Sequence, residues 1–330
     1  MLIETLTVLD EIDQIKPAWT KLLNQSACNR AFSSPDWYIG CCLYTQEKPV
    51  TFVLSHNGIK KAILPLIMSK DSRTLRFSSQ LADYNDLIAA EGDFKSATSL
   101  MIGVLALIDR DTGLLLENLR EDSALYQVII SLDEEILCRN RVRVNRLRTE
   151  NCFFVDTRQS YSEYISTRSI AFRKDIKRKR KIFLDTGFAM EEFQPEENEI
   201  PALIDKFLEL HKFRIRDTIF LEDKHNNMLR NVISNLIYKG YFRVFLIRRN
   251  KEIYAIQLSA EGRDSLAFWN GGFNDEVSKT SPGTLLIEFQ IARCIEQGKI
   301  EFDLLRGNQN YKKRWSTSER FLNTILIDHI

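Results

Sequence analysis

Between Ser281 and Trp315 the chain reads SPGTLLIEFQIARCIEQG, then KIEFDLLRG, then NQNYKKRW, and residues suited to chemistry are concentrated there. In IEFDLL, strand alternation puts Ile300, Phe302 and Leu304 on one face and Glu301, Asp303 and Leu305 on the other. A carboxylate on a core strand is costly unless it is hydrogen-bonded or paired. Asp303 is therefore a candidate general base for an incoming amine or hydroxyl, or a group that orients that nucleophile. The competing reading is a structural ion pair with Arg306, or with an arginine such as Arg214 in LHKFRIRDT, since such pairs perturb carboxylates as well. Upstream, Ser281 can cap a helix and Pro282 can fill its first position. Gly283 and Thr284 would then leave N–H groups open at the positive end of the helix dipole, a place for a pyrophosphate. An ordinary capped helix fits the same residues equally well. Downstream, Lys312, Lys313 and Arg314 can hold a phosphate or an anionic sugar. Tyr311 lies beside them, and packing under the last strand is the alternative for it and for Trp315.

Other polar residues are candidates for binding. Gln257 interrupts the apolar strand EIYAIQLSAE and either faces a cleft or makes a cross-strand hydrogen bond. Trp269, at the end of SLAFWNGG, either stacks on a sugar or closes the core. The ADYNDL loop offers Asp83 and Tyr84 to an acceptor groove, or forms an Asx turn. The run RKDIKRKRK is the strongest local charge; Phe172, Ile176 and Phe183 fall on one side of it, so it reads as a docked helix with solvated charges, and otherwise as a grip on a phosphate backbone. His56, His211, His225 and His329 have no ligand spacing, so no metal is expected. Neither a nucleophile elbow nor a P-loop is present.

The elements that must position these residues follow from periodicity and punctuation. The 330 residues suit two domains of ordinary size, with enough apolar residues (44%) to bury real cores. Lys plus Arg (46) nearly balances Asp plus Glu (45), which gives no global case for a DNA-binding protein. The start lacks the pattern of a signal peptide, and no run is apolar enough for a membrane span, so a cytoplasmic protein is expected. The six cysteines form no CxxC pair and lie mostly in apolar runs, as small buried hydrophobes would. Asn57-Gly58 signals a hairpin and Ser34-Pro35 a helix start. A single long helix is expected over 161–185. The second half then reads β-α-α-β-β-β-α-β-α-β, and the first half gives nearly the same order.

That order resembles the GNAT acyltransferase fold, and in tandem it resembles the Fem-type peptidoglycan aminoacyl transferases. Four stretches are also similar to CelD/BcsL-type GNAT acetyltransferases: AFSSPDWY with AILPL; DYNDL; RKDIKRKRKIFLDTGF with LHKFRIRDT; and Ser281–Trp315. The resemblance implies an α/β fold of mixed sheets, with two tandem GNAT-like domains. The expected limits are 1–157 for an N-terminal, degenerate domain, 158–187 for a basic connecting helix, and 188–330 for the acyltransferase domain. It implies acetyl-CoA as co-substrate, held by Gln257, Ser281, Gly283 and Thr284, with 252–261 as the strand that receives the pantetheine arm. Only one Gly stands in SPGTLL, where GNAT enzymes usually carry a Gly-rich loop. Asp303, Tyr311 and Lys312 would be catalytic, with Tyr311 or Lys312 assisting the departing thiolate. Asp83, Tyr84, Arg214, Trp269 and Arg306 would contact the acceptor. The expected activity is N- or O-acylation of a sugar or of an exopolysaccharide or cell-envelope precursor. The alternatives are aminoacyl transfer from tRNA, and a non-catalytic accessory role in polysaccharide synthesis.

Overall fold

A computed structural model describes residues 1–330 except 71–72, 79–80, 216–219 and 221; the side chains of Arg214 and Lys224 also lie outside the described set. The chain divides into two compact units, Met1–Asn151 with Arg320–Ile330, and Cys152–Glu319.

In the first unit the elements are β1 (Leu2–Leu6), α1 (Leu9–Gln14), α2 (Lys16–Gln25), α3 (Pro35–Thr45), β2 (Lys48–His56) and β3 (Ile59–Met68). They continue with β4 (Thr74–Arg76), β5 (Ile88–Ala89), α4 (Phe94–Leu107), β6 (Gly113–Arg120), α5 (Ala124–Ile130) and α6 (Glu134–Asn140). The strand β7 (Val142–Asp156) leads into the second unit. That unit holds α7 (Tyr161–Ser166), α8 (Ile170–Leu184), β8 (Ala189–Phe193), α9 (Ile200–Arg214), α10 (Asp223–Met228) and α11 (Ser234–Tyr238). It continues through β9 (Phe242–Arg249), β10 (Glu252–Glu261), β11 (Ser265–Phe273), α12 (Asp275–Ser278), α13 (Pro282–Glu296), β12 (Glu301–Arg306) and α14 (Asn310–Trp315). The final strand, β13 (Ser318–His329), gives its residues from Arg320 onward to the first unit.

The first unit's sheet runs β1-β2-β3-β4-β6-β13. Asn57 and Gly58, both at positive φ, make the tight turn between β2 and β3 that their types favour. Alternation in β2 sends Phe52 and Leu54 to the layer that holds Leu100 and Val104 of α4. Val53 faces the other way, with Trp19, Leu22 and Tyr38. Both faces are covered, so the strand reads as a nearly continuous apolar run.

The second unit's sheet runs β7-β12-β11-β10-β9-β8. Phe172, Ile176 and Phe183 of α8 join Leu285, Leu286 and Ile291 of α13 over Phe245, Ile247 and Phe268. Each unit contains one short parallel pair, β4 with β6 and β11 with β12, among otherwise antiparallel neighbours. In each, a long helix, α4 or α13, lies between the two parallel strands in sequence, as a crossover requires. The repeated order is thus a repeated topology: two α/β units built on mixed sheets.

Two local expectations are corrected. The helix expected over 161–185 is two helices, because Ser169 caps the second by accepting the Phe172 N–H at 3.2 Å. The stretches VRVNRLR and CFFVD, whose alternation reads as two separate strands, form one, β7. Five of the six cysteines are buried, but Cys138 on α6 is exposed. Part of the stretch LHKFRIRDT, residues 216–218, falls outside the described set.

Candidate active site

The site is built where β11 and β12 part. They pair in parallel over three positions, Ser265 with Glu301, Leu266 with Phe302 and Ala267 with Asp303, after which the register ends while both strands continue. Ligands of α/β sheets occupy such crevices, beyond the carboxyl ends of the strands. Asp303 is thus the last residue of β12 paired to β11. β10, by contrast, is paired to β9 and to β11 from Ala255 to Ala260. The opening expected along 252–261 therefore lies one strand over, because β10 has neighbours on both sides.

Asp303 is 1% exposed and accepts the Leu305 N–H at 2.7 Å. That bond lies in a bulge of β12, where the register against β7 shifts between Asp303 and Arg306 and Leu305 has φ +60. A bulky non-glycine residue in the left-handed region is strained, and such strain concentrates at functional sites. The Lys312 ammonium is buried and donates to the carbonyls of Leu305, at 3.4 Å, and of Arg306. Asp303, the Arg306 carbonyl and Lys312 are therefore brought together around one bulge. Tyr311 follows on α14, half-buried against the core that contains Trp315.

The start of α13 departs from the expected cap. Ser281 occupies the cap position with φ +59, and its side chain accepts no helix N–H. The expectation that it caps the helix is corrected: the left-handed backbone replaces the extended one from which a serine hydroxyl reaches its N–H partners. Pro282 has no N–H to offer, and Thr284 donates its own to the Ser281 carbonyl at 3.0 Å, so the Thr284 N–H is not open. This start presents fewer free donors to an anion than its sequence promised.

Gln257 does point to this start. It is 4% exposed; its amide nitrogen lies 3.4 Å from the Gly283 carbonyl, and its Oε1 accepts from Gln290 Nε2 at 2.6 Å. Gln290 Oε1 accepts the Ser259 hydroxyl at 2.5 Å. This chain ties β10 to α13, and sequence reasoning missed two of its members. The available signal was Gln290 itself, an uncharged polar residue on the buried face of an apolar helix.

A second missed group is Glu288, 4% exposed, also on α13. Arg180 of α8 donates to both its oxygens, Nε at 2.8 Å and Nη2 at 2.6 Å. Tyr161 Oη also donates to Glu288 and accepts from Arg180 at 2.7 Å. Burial, and then the Glu288 carboxylate, push the Tyr161 phenol up. One positive charge of the basic run is thus committed to holding α8 on α13.

Trp269 is 8% exposed and packs in an aromatic group with Phe220 at 5.6 Å and Phe242 at 5.1 Å. Three residues further on, a Cβ at Gly272 would collide with the backbone of Leu210 and His211, so α9 reaches β11 only because glycine stands there. Arg214 ends α9, and its side chain lies outside the described residues. Asp83 and Tyr84 belong to the first unit, where the Arg120 guanidinium lies 5.3 Å from the centre of the Tyr84 ring. Their neighbour Asp86 accepts the N–H groups of Leu125 at 2.8 Å and Ala124 at 3.1 Å, the first turn of α5. Among the described residues no cluster of three His, Cys, Asp or Glu could hold a metal ion, and no helix is long and apolar enough to cross a membrane.

Comparison with known proteins bears on the fold. Residues 171–313 match the family model described as an acetyltransferase (GNAT) domain. No curated protein matches the sequence. Among solved structures, FemX superposes with a TM-score of 0.63 at 9% identity, over 98% of this chain and 96% of that one. The C-terminal domain of a putative lysylphosphatidylglycerol synthetase from Agrobacterium fabrum gives 0.57 at 11% identity, over 95% and 92%. L-PGS from Bacillus licheniformis gives 0.57 at 11%, over 95% and 91%. Residues 171–313 are therefore similar to an acetyltransferase (GNAT) domain, within a fold that the chain shares over nearly its whole length with FemX.

Proposed function

We propose that this protein is an acyl-CoA-dependent transferase, with acetyl-CoA as donor and an amino or hydroxyl group of a sugar or cell-envelope precursor as acceptor. The observation that carries the reading is the strained bulge within β12. A buried carboxylate and a buried ammonium converge there on Leu305, at the mouth of a parting parallel pair. The acyl group would transfer directly from the thioester, and orienting two bound substrates supplies most of the catalysis. Asp303 assists the nucleophile, either by accepting its proton or by fixing its lone pair. Tyr311 and Lys312 are the candidate groups for the departing thiolate. Gln257 and the Gly283 end of α13 would line the donor arm, with Ser281 and Thr284 shaping the backbone around it. Arg306, Trp269 and Arg214 are the acceptor-side candidates in the same unit, and Asp83 and Tyr84 those of the other unit.

Titration calorimetry with acetyl-CoA at up to millimolar concentration tests the donor, and saturable heat is expected. Asp303→Asn, folded as judged by its thermal transition, should keep donor binding and lose about 10²–10⁴ in kcat/KM with an amino-sugar panel. Full turnover by that variant would remove Asp303 from the chemistry. A second reading, aminoacyl transfer from tRNA, is favoured by one observation, the scarcity of open N–H donors at the start of α13. Absent calorimetric heat, together with salt-dependent binding of aminoacyl-tRNA, would decide for it.

A further inference from the structure

The helix α8 carries seven Lys or Arg residues and one Asp in fifteen positions, in a protein whose formal net charge is only +1. Three of the seven are committed: Arg178 and Lys179 to Asp175, at 3.0 and 2.9 Å, and Arg180 to Glu288. The other four, Arg173, Lys174, Lys177 and Lys181, are exposed, and their side chains make no ion pair among the described residues. They face away from Phe172, Ile176 and Phe183, which are buried in the core. α14 extends the basic surface: the Arg314 guanidinium lies 5.0 Å from the centre of the Phe172 ring and 3.5 Å from Asp175, and Lys313 is exposed beside it.

This outward face has a second property. Ile170, Lys174, Lys177, Lys181 and Leu184 follow one another at intervals of four, three, four and three, a single stripe along the helix. The two aliphatic residues that end the stripe are 63% and 78% exposed. They lie about 21 Å apart along the axis, with the basic residues between them.

We propose that this face docks on an anionic lipid surface, with Lys174, Lys177, Lys181 and Arg173 over the headgroups and Ile170 and Leu184 entering the acyl boundary. Charge complementarity supplies the attraction, and juxtamembrane basic residues act on anionic leaflets in just this way. The exposed aliphatic ends discriminate between polyanions. They gain burial in a lipid interface, as on amphipathic interfacial helices. They gain nothing over a phosphate backbone, and the stripe offers no aromatic ring on which a base could stack. A helix fixed to the core by Phe172, Ile176 and the Arg180–Glu288 pair presents this face ready-made, with no ordering cost at the moment of contact.

The test is sedimentation of the full chain with vesicles of phosphatidylcholine and phosphatidylglycerol at 70:30, against pure phosphatidylcholine, with bulk tRNA assayed in parallel. Binding to the anionic vesicles alone is expected, falling at least tenfold between about 50 and 500 mM salt as the charges are screened. The variant Arg173→Gln, Lys174→Gln, Lys177→Gln, Lys181→Gln should lose about two orders of magnitude of vesicle binding with its thermal transition unchanged. Ile170→Ser with Leu184→Ser, which leaves every charge in place, should lose several-fold. Equal sedimentation with both vesicle types overturns the proposal, as does anionic binding indifferent to either variant. Tighter, α8-dependent binding of tRNA than of vesicles overturns it in favour of a nucleic-acid face.

Discussion

At the scale of single residues, backbone strain and buried charge mark the places where packing overrides local preference. Ser281 sits in the left-handed region without a compensating side-chain bond to the helix it precedes. Ser281→Gly should therefore raise stability by about 1 kcal/mol, since the left-handed conformation costs an L-residue roughly that much, and chemical denaturation measures it. Ser281→Val should act in the opposite direction. Asp86 offers a pH-dependent counterpart. Burial pushes its carboxyl up to about 6, against the pull of the Leu125, Ala124 and Leu87 N–H groups. A raised carboxyl means that folding favours the protonated form. The stability it contributes is complete below the ordinary carboxylate range and is lost as pH rises through about 6. Asp86→Asn cannot ionise, so its stability relative to the natural protein should improve from pH 4 to pH 7, by on the order of 2 kcal/mol. Parallel urea titrations at the two pH values read this directly, and an unchanged difference would assign the burial of Asp86 no such effect. Asp303 could be singled out from sequence because a carboxylate in the middle of an apolar strand is costly. Its bond to the Leu305 N–H could not, because it depends on a left-handed conformation, within a strand bulge, that leucine rarely adopts.

At the scale of elements, α8 joins two jobs that its sequence shows as one charge run. Its apolar face enters the core, while Arg180 leaves the basic face to reach Glu288. Removing one partner of such a pair strands a buried charge, whereas replacing both with apolar groups is far milder. Arg180→Met alone should destabilise the second unit by about 2–3 kcal/mol, because Arg180 is itself half exposed and part of the loss is recovered by water. The double change Arg180→Met with Glu288→Leu should recover most of that, and a double-mutant cycle in denaturant checks the coupling. The cap of α3 was legible: Ser34 accepts the Trp37 N–H at 3.1 Å as its type predicts. The break between α7 and α8 was hidden because the apolar spacing runs through it. Only Ser169, a good cap in the middle of a polar stretch, hinted at a new start.

At the scale of the whole chain, the two compact units do not follow one cut in the sequence. β7 passes from the first to the second at Asn151, and β13 returns at Arg320. Leu322, Ile325 and Ile327 are fully or almost fully buried, the latter two within the first unit's core, and β13 pairs there with β6. A fragment of 152–319 should therefore fold with a cooperative thermal transition. A fragment of 188–330 should not, because it lacks the Phe172, Ile176 and Phe183 layer of the core and keeps apolar strand residues with nothing to cover. Circular dichroism melts of the two fragments distinguish these outcomes. Deleting 320–330 from the full chain should weaken the first unit selectively, read as hydrogen exchange in β6 before that in β10.

Local order was available in the residues themselves. Alternation, helical spacing, Asn57-Gly58 and the Ser-Pro starts specify elements through steric and hydrogen-bonding preferences that act within a few residues. They sufficed for the repeated β-α-α-β-β-β-α-β-α-β order, whose resemblance to the GNAT fold implied two such α/β units. Which strands part was decided only by the tertiary structure. Pairing is non-local, and β11 with β12 are joined in register across a helix, so no window of sequence could place the opening beside Asp303 rather than along β10. The same holds for Gln257, Gln290 and Ser259, and for Arg180 and Glu288. Their partners lie between 31 and 108 residues away, and only the folded chain brings them within reach.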